Sequence, residues 1–596
     1  MPEQFALGID LGTTNSVVAY TSLDSETREV KLMKVPQVSA PSTIEQRSSL
    51  PSFCYIATPG EAESEVFALD WQRDKGYAVG EGARRQSADV PTRTVSAAKS
   101  WLANTRVDRH KPILPWEAPS DVQKISPVEA SRRYLLHLAT AWSQLHPESP
   151  LDEQKVVLTV PASFDASARE LTHQAALEAG LPQDMVLLEE PQAAVYAWLN
   201  DIGDQWRKQV GVGDIILVCD VGGGTTDFSL IGVSEEDGDL VLRRIAVGNH
   251  ILVGGDNMDL TLAHVAQQAF NQKGMQLDAW QAVSLWHACR NVKEELLGKN
   301  PPQSKPVTIL GRGSKLIGST ISADLQREQV TEALLEGFFP VCDRDERPMR
   351  RPVSGFRQIG LPFESDTAVT RHLAQFLNAH AAGAQQSIRP THILFNGGVF
   401  KSEIFRSRIV DVISGWFTGE NAPDVLVRSP DFDNAVARGA ATYGFIKERK
   451  GIRIRGGTAR SYYVGIETAG PAVPGFARPL SALCVVPFGM EEGTEIEVPG
   501  DEIGLVVGEP AVFRFFSSSV RKDDKPGTVL SGWEEDELQE TDSLEAHLPA
   551  EERFEEGYVP VKFHPRITEL GMFELWCKST VGDDSWKLEF NIREQR

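Results

Sequence analysis

Apolar positions along this 596-residue chain follow two patterns, and the change between them falls near about residue 450. Before it, apolar residues come in short continuous runs bounded by Gly, Pro and Asp, as strands buried on both faces do. Val156 to Val160 (VVLTV) is one such run. The segment EQKVVLTVPASFDASARELTHQAALEAGLPQDMVLLEEPQAAVYAWL reads strand, helix, strand, helix: Leu171, Ala175 and Ala179 share one helical face, Gly180 supplies a stop, and Pro191 after Glu190 suits a helix start. THILFNGGVFKSEIFRSRIVDVI again runs strand, Gly pair, helix, and DNAVARGAATYGF (Asp433 to Phe445) predicts a close-packing helix of small residues. After the change, strict alternation appears in TEIEV, AVFRF, FELWC and WKLEFNI; in the last, Trp586, Leu588, Phe590 and Ile592 fall on one face. The expectation is an α/β unit over residues 1–448, a basic linker over 449–463, and a β-sandwich over 464–596 with no C-terminal helical segment after it.

The α/β unit contains an internal repeat. FALGIDLGTTNSVVAY (Phe5 to Tyr20) and IILVCDVGGGTTDFSLI (Ile215 to Ile231) share an apolar strand, an Asp at its end, a Gly-rich turn, a Thr pair and a second strand. Their separation of about 210 residues points to duplicated lobes rather than a solenoid. An Asp at the end of a buried strand is held rigidly, and adjacent glycines let backbone N–H groups approach phosphate oxygens. Threonine adds a hydroxyl, and the carboxylates suit Mg²⁺ held through water. A pair of bare hairpins is the plain alternative, made improbable by the repetition of both Asp and Thr. No GxxxxGK[ST] segment occurs, so a nucleotide site here is of the two-turn kind.

Charge and cysteine usage narrow the class. The net charge of −23 argues against a general nucleic-acid or anionic-membrane partner. The acidic stretch from Glu534 to Glu556 reads as a solvated loop. The six cysteines, widely spaced and without a CxxC pair, fit small buried thiols in a reducing cytoplasm. The N-terminal MPEQFALGID lacks a basic, apolar leader pattern, and no run reaches the length of a membrane span, so a soluble cytoplasmic protein is expected.

GIDLGTTNSVV, VVLTVPASF, EEPQAAVYA, DVGGGTTDFS, VGGDNMD and NGGVFKS occur in the order found in the 70-kilodalton heat-shock (DnaK-like) chaperones, and SYYVGIETAG resembles the start of their substrate domain. The chain resembles that family, a branch of the actin-like ATPases, over nearly the whole nucleotide-binding region. The resemblance implies ATP, Mg²⁺ and K⁺ as cofactors and slow ATP hydrolysis. By it, Asp10 and Asp220 organise Mg²⁺ and water, with Asp220 positioning the attacking water, and Asp227 supports the monovalent cation. Thr13 and Thr225 contact the γ-phosphate region, beside Gly12, Thr14, Gly222, Gly223 and Gly224. Lys99 aims at the γ-phosphate, and Glu190 holds a metal-bound water. Gly254, Gly255, Lys293, Gly397, Gly398 and Asp433 complete the nucleotide cleft, and Pro161 with Arg169 relays nucleotide state.

The expected function is thus nucleotide-controlled binding and release of unfolded polypeptide, with J-protein and nucleotide-exchange co-chaperones as implied partners. The rival is an actin-like ATPase switch serving one dedicated protein partner; a sugar kinase is disfavoured by the VPASF and EEPQAA segments and the terminal β domain. Three departures bear on this choice. Glu294 and Leu297 stand where the family has an arginine over the adenine and a serine, so weaker ATP binding is expected. Lys401 replaces an arginine. The linker carries Arg449, Lys450, Arg453, Arg455 and Arg460 in place of an acidic, leucine-rich segment.

Overall fold

The computed structural model describes residues 4–588 apart from 26–27, 73–75, 117, 237–238, 312–319, 350–360, 362, 382–386, 428–430, 449–456, 459, 468–478, 492, 508–509, 535–536, 542–543, 548–557 and 569–571. The linker residues Arg449, Lys450, Arg453 and Arg455, much of the acidic stretch, and Phe590 and Ile592 lie outside the described residues.

The repeat is a repeat in space. In lobe I, strand Phe5–Leu11 pairs antiparallel with Asn15–Ser22 and parallel with Lys155–Val160. In lobe II, strand Ile215–Val221 pairs antiparallel with Thr226–Glu236 and parallel with His392–Asn396. The same register logic therefore sets both aspartates: Asp10 lies beside Thr159, and Asp220 beside Asn396. Each central strand is walled by apolar neighbours, and Leu7, Ile9, Leu217 and Cys219 are all buried.

Helix Ala435–Glu448 joins the lobes, and its small residues explain how. A Cβ on Gly439 would lie 1.7 Å from the carbonyl oxygen of Ala193 in helix Glu190–Ile202, and one on Gly8 would lie 2.2 Å from that of Ala437. Only residues without side-chain bulk permit that approach. Helix Ala166–Glu178 buries Leu171 and Ala175 as the periodicity predicts, and Gly180 follows it.

Among the described residues the β domain is two packed five-stranded sheets and a two-stranded pair, Pro510–Phe513 with Leu544–His547. Its opening strand, Ser461–Glu467, begins three residues before the expected boundary at 464. Tyr462, Val464, Leu483 and Val485 face Val559, Val561, Leu575 and Leu588 across the core, and Trp586 packs against it. The alternation therefore marks the buried face correctly. All six cysteines are free and buried. No helix among the described residues is long and apolar enough to cross a membrane.

The β domain seats on the α/β unit. Lys522 donates from Nζ to the carbonyl of Ile245 at 2.8 Å, and Arg460 donates to that of Ser163 at 3.2 Å. Arg460 is a buried residue, also bonded to Ser517 Oγ and Gln539 Oε1. A residue of the expected basic linker is thus part of the buried contact between the two units.

Candidate nucleotide cleft

The two Gly-rich turns meet. A Cβ on Gly223 would sit 2.1 Å from Thr14 Oγ1, so the glycine is what lets the lobe II turn approach the lobe I turn. Gly397, with φ of 86°, begins the third Gly turn, and a Cβ on it would strike the carbonyl of Val221 at 2.3 Å. Between these turns lies a cavity of about 300 Å³. Asp10, Gly12, Thr13, Thr14, Lys99, Pro161, Glu190, Asp220, Gly222, Gly223, Thr225, Asp227, Gly255, Lys293, Gly397, Gly398 and Asp433 all border it. Gly224 and Gly254 stand just behind: a Cβ on Gly224 would lie 3.2 Å from Thr13 Cγ2, and Gly254 caps helix Gly255–Gln272.

Four charged groups converge at the turns. Lys99 Nζ pairs with Glu190 Oε1, and both side chains are largely buried. The chain enters the Lys99 helix through Ala97 in a left-handed conformation, φ 54°, which costs a non-glycine residue about 1 kcal/mol. Burial is the main cause that raises Asp10 to about 7, with Lys99 opposing and Glu190 adding to it. Burial likewise raises Asp220 to about 7, reinforced by Glu190 and opposed by the hydrogen bond from Asn396 Nδ2. For Lys99, burial acts against the charge, but Glu190 and Asp10 outweigh it and hold the ammonium above its ordinary value. Desolvated, mutually repelling carboxylates are a site that gains from a cation.

Asp227 differs. It accepts from Ser163 Oγ at 2.8 Å and lies 3.1 Å from His250 Nδ1. Burial pushes its carboxyl up, yet His250 and Ser163 hold it below the usual range. Among the described residues, no group of three His, Cys, Asp or Glu side chains stands close enough to hold a metal ion. The donor set fits a cation bound through water and phosphate oxygens, not a protein cage.

Pro161 borders the cleft, whereas Arg169 lies one short connector away and donates to Glu189 Oε1 at 2.7 Å. Glu189, Arg244, Arg290 and Asn396 escaped sequence reasoning. Arg244 bonds Glu189 and also the carbonyl of Gly457, so one carboxylate next to Glu190 anchors two arginines at the domain boundary. The doubled EE was its only sequence signal. Arg290 sits one helical turn before Glu294 and pairs with Asp256 and Asp259; the i, i+4 spacing of Arg and Glu was visible. Lys293 binds Asp259 at 2.6 Å, and Lys401 pairs with Asp433.

Residues 68–344 match the family model described as Hsp70 protein, a span that includes Lys99, Pro161, Glu190, the second hairpin and Lys293 but not the first hairpin. A chaperone protein HscA of Enterobacter sp. (strain 638) is 32% identical over 279 residues, covering 45% of this chain and 38% of that protein. A chaperone protein DnaK of Stenotrophomonas maltophilia (strain R551-3) is 29% identical over 272 residues, again covering 45% and 38%. The chain thus spans about 38% of the length of the curated relatives it matches. This match lies within the α/β unit, which over residues 68–344 is similar to the Hsp70 family.

Proposed function

We propose that the cleft binds ATP with Mg²⁺ and hydrolyses it slowly, and that nucleotide state governs polypeptide binding by the β domain. The observation that carries this reading is the convergence of Lys99, Glu190, Asp10 and Asp220 between two Gly-Thr turns. Hydrolysis of a phosphoanhydride needs charge neutralisation and an oriented water, with little covalent work for the protein. Mg²⁺, when bound, neutralises phosphate charge and aligns the leaving group. The turns offer backbone N–H groups and the hydroxyls of Thr13 and Thr225 to the phosphates. Lys99 carries positive charge to the terminal phosphate, held in place by Glu190. Asp220, fixed by the sheet and by Asn396, orients the attacking water and accepts its hydrogen bond. Asp227, its carboxylate fixed by Ser163 and His250, would help hold K⁺ and supply negative charge beside it.

Pro161 and Arg169 serve as the relay in this reading, since the connector between them runs from the cleft to Glu189 and Ser163 at the β domain. Phosphate release from ATP by the intact chain tests the activity: slow turnover abolished by chelating Mg²⁺ is expected, and no release under any metal condition contradicts it.

One observation favours the rival, a switch serving one dedicated partner. The outward face of the first β-domain sheet (Tyr463, Ala482, Cys484 and Phe516) is covered by the chain's own later segment, with Leu538 buried and Trp533 edge-on to Phe516 at 5.2 Å. Tyr463 donates to Asp524 at 2.7 Å and closes that cover. Competition among many unrelated unfolded peptides for the β domain supports the chaperone reading; binding of a single folded partner supports the switch. J-protein and nucleotide-exchange co-chaperones belong to the first reading only.

A further inference from the structure

Away from the carboxylate cluster, the cleft wall is built by the end of helix Ala279–Leu296 and by Gly398 to Phe405. Its charges are paired with one another: Arg290 with Asp256 and Asp259, Lys293 with Asp259, and Lys401 with Asp433. Its apolar surface comes from Leu297, Phe405 and Phe432. Among the described residues of this wall, one buried side-chain polar atom has neither a hydrogen bond nor an ion pair. The Ser402 hydroxyl is buried with no hydrogen bond, although the residue caps helix Glu403–Trp416, where a serine ordinarily bonds the helix backbone. The residue is only 5% exposed and borders the cavity. An orphaned buried hydroxyl is costly, and rotation about one bond suffices to offer it to a ligand.

We infer that Ser402 is a specificity-determining residue of the cleft, its hydroxyl hydrogen-bonding the amino-bearing edge of adenine. This rests on the reading of the cleft as a nucleoside triphosphate site. A flat base seated on Leu297, Phe405 and Phe432 satisfies them with its faces and still needs a partner at its edge. A hydroxyl both donates and accepts, so it suits adenine's adjoining amino donor and ring-nitrogen acceptor. Glu294, exposed at the mouth of the wall, only accepts and matches half of that edge.

Calorimetric titration of the intact chain with ATP, GTP and purine riboside 5′-triphosphate (adenine without its amino group) tests the assignment. The wild-type chain is expected to prefer ATP over the purine riboside analogue. Ser402→Ala should weaken ATP by roughly 2- to 10-fold while changing the analogue less, and Ser402→Thr should restore the contrast. Ser402→Cys, near in volume but a weak donor, reads the same contrast should the alanine variant not fold. Equal weakening of both nucleotides would mean a packing role, and no change in either would mean no contact; each overturns the inference while leaving the cleft a nucleotide site. Failure of the wild-type chain to bind any of the three overturns the nucleotide reading and this inference together.

Discussion

At the scale of single residues, the cleft keeps carboxylates where an empty fold would not want them. Asp10 and Asp220 are both raised to about 7 by burial, so the ligand-free fold holds more protons than the unfolded chain between roughly pH 4 and 7. Stability therefore falls as pH rises through that window, and above it both charges weigh fully on the folded state. Asp220→Asn removes one of them while Asn can still accept from Asn396. The expected result is a ligand-free melting temperature higher by a few degrees at pH 8, with the gain shrinking toward pH 5. Differential scanning fluorimetry at both pH values checks it; an equal shift at both would mean the charge is not the cause. The aspartates and glycines were legible in the sequence because strand-end Asp and Gly runs are local features. Glu189 and Asn396 were not, because their roles come from pairing across strands that sequence patterns do not register.

At the scale of elements, the close packing of helix Ala435–Glu448 decides how the lobes meet. Gly439 faces the carbonyl of Ala193 with no room for a methyl group. Gly439→Ala should cost about 3 kcal/mol in stability and separate the two helices, against a gain of about 1 kcal/mol expected from helix propensity alone. Denaturant unfolding distinguishes the outcomes by sign: a stabilised variant would contradict the packing. Small-residue composition announced this helix, and the apolar runs announced the strands. The covering of the first β-domain sheet by its own later segment was not legible, since Leu538 lies in the acidic stretch from Glu534 to Glu556 that reads as a solvated loop, and Leu530 and Trp533 stand alone just before it.

At the scale of the whole molecule, the contact between the α/β unit and the β domain is built on buried charge. Burial pushes the Glu189 carboxyl up, but Arg244 and Arg169 outweigh it and hold it below its ordinary value of 4.5. A depressed acid contributes stability that is present above the unfolded value and is lost as pH falls through the folded one. The fold of the α/β unit at this boundary should therefore hold at pH 5 and lose stability as pH falls below the ordinary carboxylate range. Arg244→Ala, which leaves Glu189 with Arg169 only and removes the donor to the Gly457 carbonyl, should destabilise the folded chain by about 3 kcal/mol at neutral pH. Denaturant unfolding reads both as a lower midpoint; an unchanged midpoint in acid and in the variant would contradict the ionic account. The family resemblance implies a relay at Pro161 and Arg169; the boundary contacts of Arg244 and Arg460 were not legible, because these residues reach it from distant segments.

The central claim is that the two-turn cleft performs phosphoanhydride hydrolysis with Lys99 and Asp220 acting on the transferring group. Single-turnover hydrolysis of ATP labelled in its terminal phosphate, with binding measured on the same samples, tests it most directly. The wild-type chain should convert bound ATP slowly to ADP and phosphate, while Lys99→Ala and Asp220→Asn bind ATP nearly as well yet lose at least about 100-fold in rate. Hydrolysis within a few-fold of wild type in both folded variants would contradict it.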